Sequence, residues 1–379
     1  MNRLRQLSRL QERVMMPRLT RPDGWLLTAV AGLLGFGIVM VFNVSYFNAE
    51  ARYGDPYIFF KKHLVAVAVG LALMLVVSRV RLDLLERWSS LMLPLCVLAL
   101  LMVLTPGIGA ERGGARRWIA FSGFSIQPSE FVKLGVVLFL ARWISRHREV
   151  MHRFRTGVVP ALVSVGVCSA LILGQPDFGT AVILGLLLLL MLYVGGARPA
   201  HVLSLVLCGA IGMVIAVQLA PYRMRRLLAF LDPWQHSQDA GFQLVQSLIA
   251  FGSGGLSGVG LGQSKQKMLF LPEAHTDFIF ALVGEELGLI GAAVVLALFV
   301  VVAVRGFRVA ARHPDSFASL LAFGLTAVLI LSAVVNVGVV LGLLPTKGLP
   351  LPFLSYGGSA LLATMLEVGL LAALSRMTG

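Results

Sequence analysis

Residues 319–343 read SLLAFGLTAVLILSAVVNVGVVLGL. The run carries no charged residue, and it exceeds the roughly 20 apolar residues that an α-helix needs to cross the hydrocarbon core of a bilayer. Lipid supplies no hydrogen-bond partners, so a spanning segment must satisfy its own backbone, which a helix does. Comparable apolar runs lie near 25–46, 60–78, 88–105, 127–144, 157–174, 178–195, 200–219, 278–304 and 355–375. The predicted fold is an all-α polytopic membrane protein with about ten transmembrane helices.

Composition points the same way. Of 379 residues, 58% are hydrophobic and 13% are charged, where a soluble domain carries about a quarter charged residues. The mean hydropathy is +0.86. The net charge of +14 does not indicate nucleic-acid binding, because the basic residues sit in short loops between apolar runs and there set topology. Cys96, Cys168 and Cys208 fall inside apolar runs without metal-ligand spacing and read as small core hydrophobes. The first 24 residues hold six arginines and no long apolar stretch, so they read as a cytoplasmic basic tail rather than a signal peptide. Residues 25–379 read as one membrane domain.

Ten spans place both termini on one side. With that side cytoplasmic, every inside loop is basic (Arg79, Arg81 and Arg87; Arg142 to Arg155; Arg198; Arg305, Arg308 and Arg312), as the positive-inside rule requires. The expected topology is N-in and C-in. Two outside segments then break the rule. Residues 106–126 carry Glu111, Arg112, Arg116, Arg117 and Trp118. Residues 220–277 form a large periplasmic loop with Arg223, Arg225, Arg226, Lys265 and Lys267. Loops of this length are functional or disordered; the apolar runs Leu227 to Trp234 and Phe242 to Phe251 predict short interfacial helices instead of disorder.

Candidate chemistry gathers at that outer edge. In Leu271-Pro-Glu-Ala-His-Thr-Asp277-Phe-Ile-Phe280, Thr276 is the predicted N-cap and Asp277 falls in the first helical turn. The helix dipole and the neighbouring cations favour its anion, while partial burial favours the neutral acid; the residues leave that contest open. A carboxylate at a helix start is also an ordinary structural feature. Glu130 and Lys133, three apart in Gln127-Pro-Ser-Glu130-Phe-Val-Lys133, share a helix face and can pair. Charges at this depth point to a partner or a wet cavity, either as a structural ion pair or with Lys133 on an anionic headgroup.

Three further segments add polar groups. The stretch from Gly348 to Ser359, with Pro350 and Pro352, enforces irregular backbone next to Lys347 and Ser355, both candidates for phosphate binding. Such backbone is tolerated at membrane depth only under protein or water. Asp177, in Gln175-Pro-Asp177-Phe-Gly-Thr180, reads as a turn or cap residue, or else as a second polar lining group. The glycine-rich run from Phe251 to Gly262 follows no strand, so it is no P-loop; close backbone approach to a helix or to lipid is the better reading.

In order and spacing, several motifs together resemble the SEDS family (shape, elongation, division and sporulation proteins). They are Gln127–Lys133, Gln175–Thr180, Tyr222-Arg-Met-Arg-Arg226 with Phe230-Leu-Asp-Pro-Trp234, Gln243-Leu-Val-Gln-Ser247, Pro272–Phe280 with Gly284-Glu-Glu-Leu-Gly288, and Leu344–Gly348 through Ser359. They run through most of the chain. Thr346-Lys347-Gly348 and the arginine-rich tail are similar to the division (FtsW-like) branch, whereas Gly348–Pro352 leans to the elongation (RodA-like) branch.

The resemblance implies a peptidoglycan glycosyltransferase that polymerises lipid II at the outer face of the bacterial inner membrane, at the division septum. It implies a class B penicillin-binding protein and other divisome proteins as partners, and Asp277 as the catalytic acid. Asp277 would act as general base, and undecaprenyl pyrophosphate would leave. The cations expected to stabilise that leaving group are Arg112, Arg116, Arg117, Lys133, Lys265, Lys267 and Lys347, with Glu130, His275 and Ser355 as further substrate contacts. A divalent cation (Mg²⁺ or Mn²⁺) could share the role, although no ligand cluster specifies one. Two alternatives stand beside this reading. One is a lipid II flippase, for which the deeper acids Glu285, Glu286 and Glu367 are the argument; the other is a non-catalytic division scaffold.

Overall fold

The computed structural model describes residues 21–112, 115–121, 124–239, 241–268 and 270–377; most of the basic tail and the side chain of Arg112 lie outside them. Among the described residues, seven α-helices come before residue 220: α1 (Gly24–Tyr53), α2 (Ile58–Val77), α3 (Leu82–Leu104), α4 (Pro128–Arg146), α5 (Val159–Gly174), α6 (Phe178–Val194) and α7 (Pro199–Gln218). The large loop holds α8 (Pro221–Leu231) and α9 (Phe242–Gly254), and α10 (Ile279–Arg312), α11 (Ser316–Val340) and α12 (Gly358–Ser375) follow. Eight of the segments, among them α1, α10, α11 and α12, are long and apolar enough to cross a membrane. Two more expected runs, α4 and α6, are also helical: α4 has 19 residues but carries charges, and α6 has 17.

The helix ends follow local chemistry. Asp23 caps α1 by accepting the Leu26 N–H at 3.0 Å, and α1 closes on Gly54 at φ 69°, the left-handed position glycine takes without a Cβ penalty. Proline opens α4, α7 and α8, where its missing N–H is no loss.

The central layer is α11 and α12, buried along most of their length and packed against α2, α4 and α10. At the margin, α7 has no buried residue. Cys96 and Cys168 are buried, but Cys208 is exposed on α7. The core reading of Cys208 is therefore corrected: an apolar run signals lipid contact as readily as protein contact.

Within the expected outside loop at 106–126, the described residues form a three-stranded antiparallel sheet of β1 (Gly109–Arg112), β2 (Ala115–Phe121) and β3 (Phe124–Ile126). The sheet stands on the ends of α3 and α4.

The glycine-rich run does bring backbone close to a helix. Helix α10 breaks at Gly288, where φ is 65° and ψ is −163°. A Cβ there would lie 2.4 Å from the Gly258 N, and one on Gly258 would lie 2.1 Å from the Glu286 O. The segment splints the break. Val259 and Gly260 donate to the carbonyls of Glu285 and Glu286 (3.0 and 3.1 Å), and Leu289 and Ile290 donate to Gly255 and Leu256 (2.9 and 3.1 Å). Backbone groups freed by the break are thus satisfied within the protein, as a low-dielectric setting demands.

Candidate active site

Two irregular segments build the site, and Asn336 of α11 ties them together. Its Nδ2 donates to the Asp277 carbonyl at 2.8 Å and to the Leu349 carbonyl at 2.6 Å. The Tyr356 N–H donates to the His275 carbonyl at 2.9 Å, a second tie between the same segments. The loop from Leu349 to Leu354 folds inward, with Leu349, Leu351, Phe353 and Leu354 buried. Gly37 of α1 makes room for it, since a Cβ there would lie 2.1 Å from the Phe353 carbonyl oxygen.

Asp277 does not lie in the first turn of α10, and Thr276 is not its N-cap. The helix starts at Ile279, and Phe278 precedes it without a side-chain cap. Thr276 Oγ1 instead turns back to the Glu273 carbonyl and carboxylate (3.1 Å each). The N–H groups of Thr276, Asp277 and Phe278 converge on the Glu273 carbonyl at 3.1, 3.2 and 3.4 Å. Glu273 itself sits at φ 54°, so the chain makes a tight turn before the helix.

Asp277 lines a cavity of about 1060 Å³, at the upper end of the range for small-molecule sites. Its lining includes apolar side chains, Met213, Val214 and Val217 of α7 and Leu227 of α8, together with Arg52, Arg117, Arg223, Arg226 and Lys347 and the acids Asp177, Glu273 and Asp277. Gly348 brings backbone against the catalytic candidate: a Cβ on it would lie 2.8 Å from Asp277 Oδ2. The contest at Asp277 is decided by burial, which with the Glu273 charge pushes its carboxyl up to about 7. Arg117 opposes the rise, and Asp177 and Glu130 add to it. Such a group is half ionised near neutrality, the range in which a carboxylate works as a general base.

Of the expected residues, Asp277, Arg117, His275 and Lys347 meet at the cavity. Arg117 donates from Nε to the Gln175 carbonyl at 2.9 Å, and from its guanidinium to the Pro176 carbonyl. Lys347 stands over the Phe178 ring at 4.7 Å, with Arg223 over the same ring at 5.1 Å. Burial lowers the Lys347 ammonium below its ordinary value against the pull of Asp177. His275 packs between Phe59 and Tyr356, with ring centroids at 4.9 and 5.7 Å. Burial lowers its imidazole too; Glu273 opposes this and Arg52 adds to it. Asp177 caps α6, accepting from Thr180 N at 3.2 Å and Thr180 Oγ1 at 2.9 Å.

The other expected contacts lie elsewhere. Arg116 points away and pairs with Glu111 at 3.3 Å. Glu130 and Lys133 form a buried ion pair at 2.8 Å and do not line the cavity. Lys267 is buried against Glu286 at 3.2 Å and Asn43 at 2.6 Å, and Lys265 lies exposed beside it, with its N–H on Glu285 at 3.0 Å. The Ser355 hydroxyl oxygen accepts the Leu351 N–H at 2.7 Å and does not line the cavity. Lys265 and Lys267 were expected here as cations of the large periplasmic loop, but their segment packs onto Glu285 and Glu286 of α10 instead. Arg223 and Arg226 were named in the large loop and its Tyr222–Arg226 motif but not as site residues, and Arg52 and Asn336 were not named at all. Arg52 gave only a charge signal, and Asn336 gave no signal beyond being a polar residue in an apolar run.

The deep acids that favoured transport have local partners. Glu286 takes Lys267 and Asn43, and Glu285 takes Ser264 and the Lys265 N–H. Glu367 lies within electrostatic reach of Lys133.

The fold and site define a polytopic membrane protein with an amphipathic cavity at one end of its helices and a proton-accepting carboxylate inside it. Residues 24–379 match the family described as cell cycle proteins, that of FtsW, RodA and SpoVE. The chain belongs to that family. It is 42% identical over 374 residues to a probable peptidoglycan glycosyltransferase FtsW of Geobacter metallireducens, covering 98% of this chain and 99% of the relative. Stage V sporulation protein E of Bacillus subtilis is also 42% identical, over 96% of this chain and 99% of its own. A solved peptidoglycan synthase complex that coordinates polymerization and crosslinking contains a chain that superposes with a TM-score of 0.79. Identity to that chain is 28%, over 94% of this one and 98% of that one.

Proposed function

We propose that the chain is a peptidoglycan glycosyltransferase of the FtsW-like branch, polymerising lipid II into glycan strands. The observation that carries this is the position of Asp277: a carboxylate raised to about 7, in a cavity lined both by apolar side chains and by five cations. A lipid-linked sugar diphosphate has a matching division, with its prenyl tail for the apolar side chains, its diphosphate for the cations and its sugars for the remaining space. The FtsW-like branch is supported by the 42% identity to relatives named FtsW and SpoVE.

The basic loops favour an N-in, C-in topology, and on that reading the cavity lies at the periplasmic face of the inner membrane. In the reaction, Asp277 takes the proton from the acceptor sugar's 4-hydroxyl as that oxygen attacks the donor's anomeric carbon. The bond to undecaprenyl pyrophosphate breaks, and the departing charge develops beside Arg117, Arg223 and Lys347. Fixed cations in a desolvated site stabilise such charge without reorganising. His275, held neutral by burial, can hydrogen-bond a sugar without adding charge.

Among the described residues, no three His, Cys, Asp or Glu side chains cluster to hold a metal ion. The steps above use the chain's own side chains and are routed through no cation. Mg²⁺ or Mn²⁺ carried in on the substrate's own phosphate oxygens is the form of cation use the site allows. A class B penicillin-binding protein as membrane partner, further divisome partners and a septal location complete the proposal. They are supported by the likeness to a peptidoglycan synthase complex and by family membership.

The test is polymerisation of purified lipid II by the reconstituted chain with its class B partner, in moenomycin, comparing wild type with Asp277→Asn. Strands from wild type and none from a folded Asp277→Asn support the proposal. Equal product from both would overturn the role of Asp277, and none from either in an intact complex would favour transport or scaffolding.

A further inference from the structure

A second depression, of about 200 Å³, lies at the opposite end of the molecule, where α1 begins and α10 and α12 end. Its polar lining is Arg21, Asp23, Arg305, Arg308, Arg312 and Ser375. Three separated parts of the chain supply these residues, and all three helices are long and apolar enough to span. The rim therefore sits at headgroup depth.

Asp23 is the one acid in the lining, and it is already engaged. Its two oxygens accept from Arg305 Nε at 3.0 and 2.8 Å, and Oδ1 also accepts from Leu26 N. Its backbone N–H donates to Ser375 Oγ at 3.1 Å. Burial would raise this carboxyl, but the Arg305 guanidinium and the backbone donors hold it below its ordinary value. Arg305 is thereby fixed in place, while Arg21, Arg308 and Arg312 form no salt bridge among the described residues. The carbonyl end of α10 offsets about half a charge, far less than three guanidinium groups carry. Positive-inside topology accounts for basic residues at this end of the fold. It does not account for their convergence from two separate elements on one depression, nor for a guanidinium already held there by Asp23.

We propose that this depression binds the phosphodiester of an anionic phospholipid headgroup, with Arg308 and Arg312 as its principal contacts. The volume accommodates a phosphodiester, and guanidinium forks match phosphate oxygens in pairs. Basic pockets between spanning helices at the membrane edge are a recurring form of headgroup recognition. The proposal is independent of the glycosyltransferase reading, because it concerns the other end of the molecule.

The full chain is reconstituted in vesicles of phosphatidylcholine alone or mixed equally with phosphatidylglycerol, extracted gently, and its retained lipid is counted by native mass spectrometry. The expected result is selective retention of phosphatidylglycerol. Arg308→Gln with Arg312→Gln should reduce it on the order of fivefold per arginine, about twenty-five-fold together. A paired control, Arg148→Gln with Arg153→Gln, removes two exposed charges from another loop at the same end and should leave retention unchanged. A thermal transition equal to wild type in detergent verifies folding of each variant, and the single variants serve if the double one is unstable. Equal retention of both lipids, an equal loss in the control, or displacement of the lipid by inorganic phosphate at millimolar concentration would overturn the proposal.

Discussion

The raised carboxyl of Asp277 predicts a specific pH profile for polymerisation. With its value at about 7, the ionised base amounts to about half at pH 7, about a tenth at pH 6 and about a hundredth at pH 5. An ordinary aspartate at 3.8 would stay almost wholly ionised down to pH 6, and its profile would be flat there. The assay is kcat/KM for lipid II consumption by the wild-type complex between pH 5 and pH 8, with the partner's transpeptidase blocked by a β-lactam. Because kcat/KM reports the free enzyme's groups, a tenfold fall per pH unit below 7 is expected. Glu273→Gln removes the largest charge that raises Asp277, so it should move the acid limb to lower pH. The same shift has a sign for stability. A carboxyl raised in the fold contributes stability that is full below 3.8 and lost as pH rises through about 7. Asp277→Asn should therefore melt above wild type at pH 8, and the gap should close toward pH 4. A flat kcat/KM from pH 8 to pH 6, or an unmoved limb in Glu273→Gln, would refute the assignment of Asp277 as a buried general base.

Three further outcomes follow from named contacts. Asn336→Ala removes both hydrogen bonds that tie Asp277 to the Leu349 loop; kcat should fall on the order of ten- to a hundredfold with little change in KM, and a fall in KM-limited binding alone would contradict it. Gly348→Ala places a methyl group 2.8 Å from Asp277 Oδ2, so steady-state kinetics should show lost turnover while the thermal transition stays near wild type. Lys267→Ala strands the buried Glu286 carboxylate and should cost about 3–5 kcal/mol; the double change Lys267→Met with Glu286→Gln should recover most of that in thermal melts.

Ten apolar runs were legible from residues alone, because a helix that crosses lipid needs about 20 predominantly apolar residues. The existence of a polar edge, and Asp277 within it, was legible for the related reason that charges are rare in such a chain. The sheet at 109–126 was not: its strands are short, and glycine and arginine dilute their alternation. Nor was the fate of each charge. Lys267 and Lys347 look alike in sequence, each a lysine in an irregular segment near a span. The break at Gly288 and the splint over it take Lys267 to Glu286, while the inward fold of residues 349–354 leaves Lys347 on the cavity beside Phe178.

The amino-acid order by itself determined that the chain lives in a bilayer, which edge of it is polar and which family it resembles. Each of these depends on local composition or on motif order. Only the tertiary structure decided which cations meet Asp277, whether burial or the helix dipole governs its proton, and that Asn336 couples its segment to the Leu349 loop. Desolvation and hydrogen bonding act over a few ångströms between residues far apart in the chain, so no window of sequence contains them.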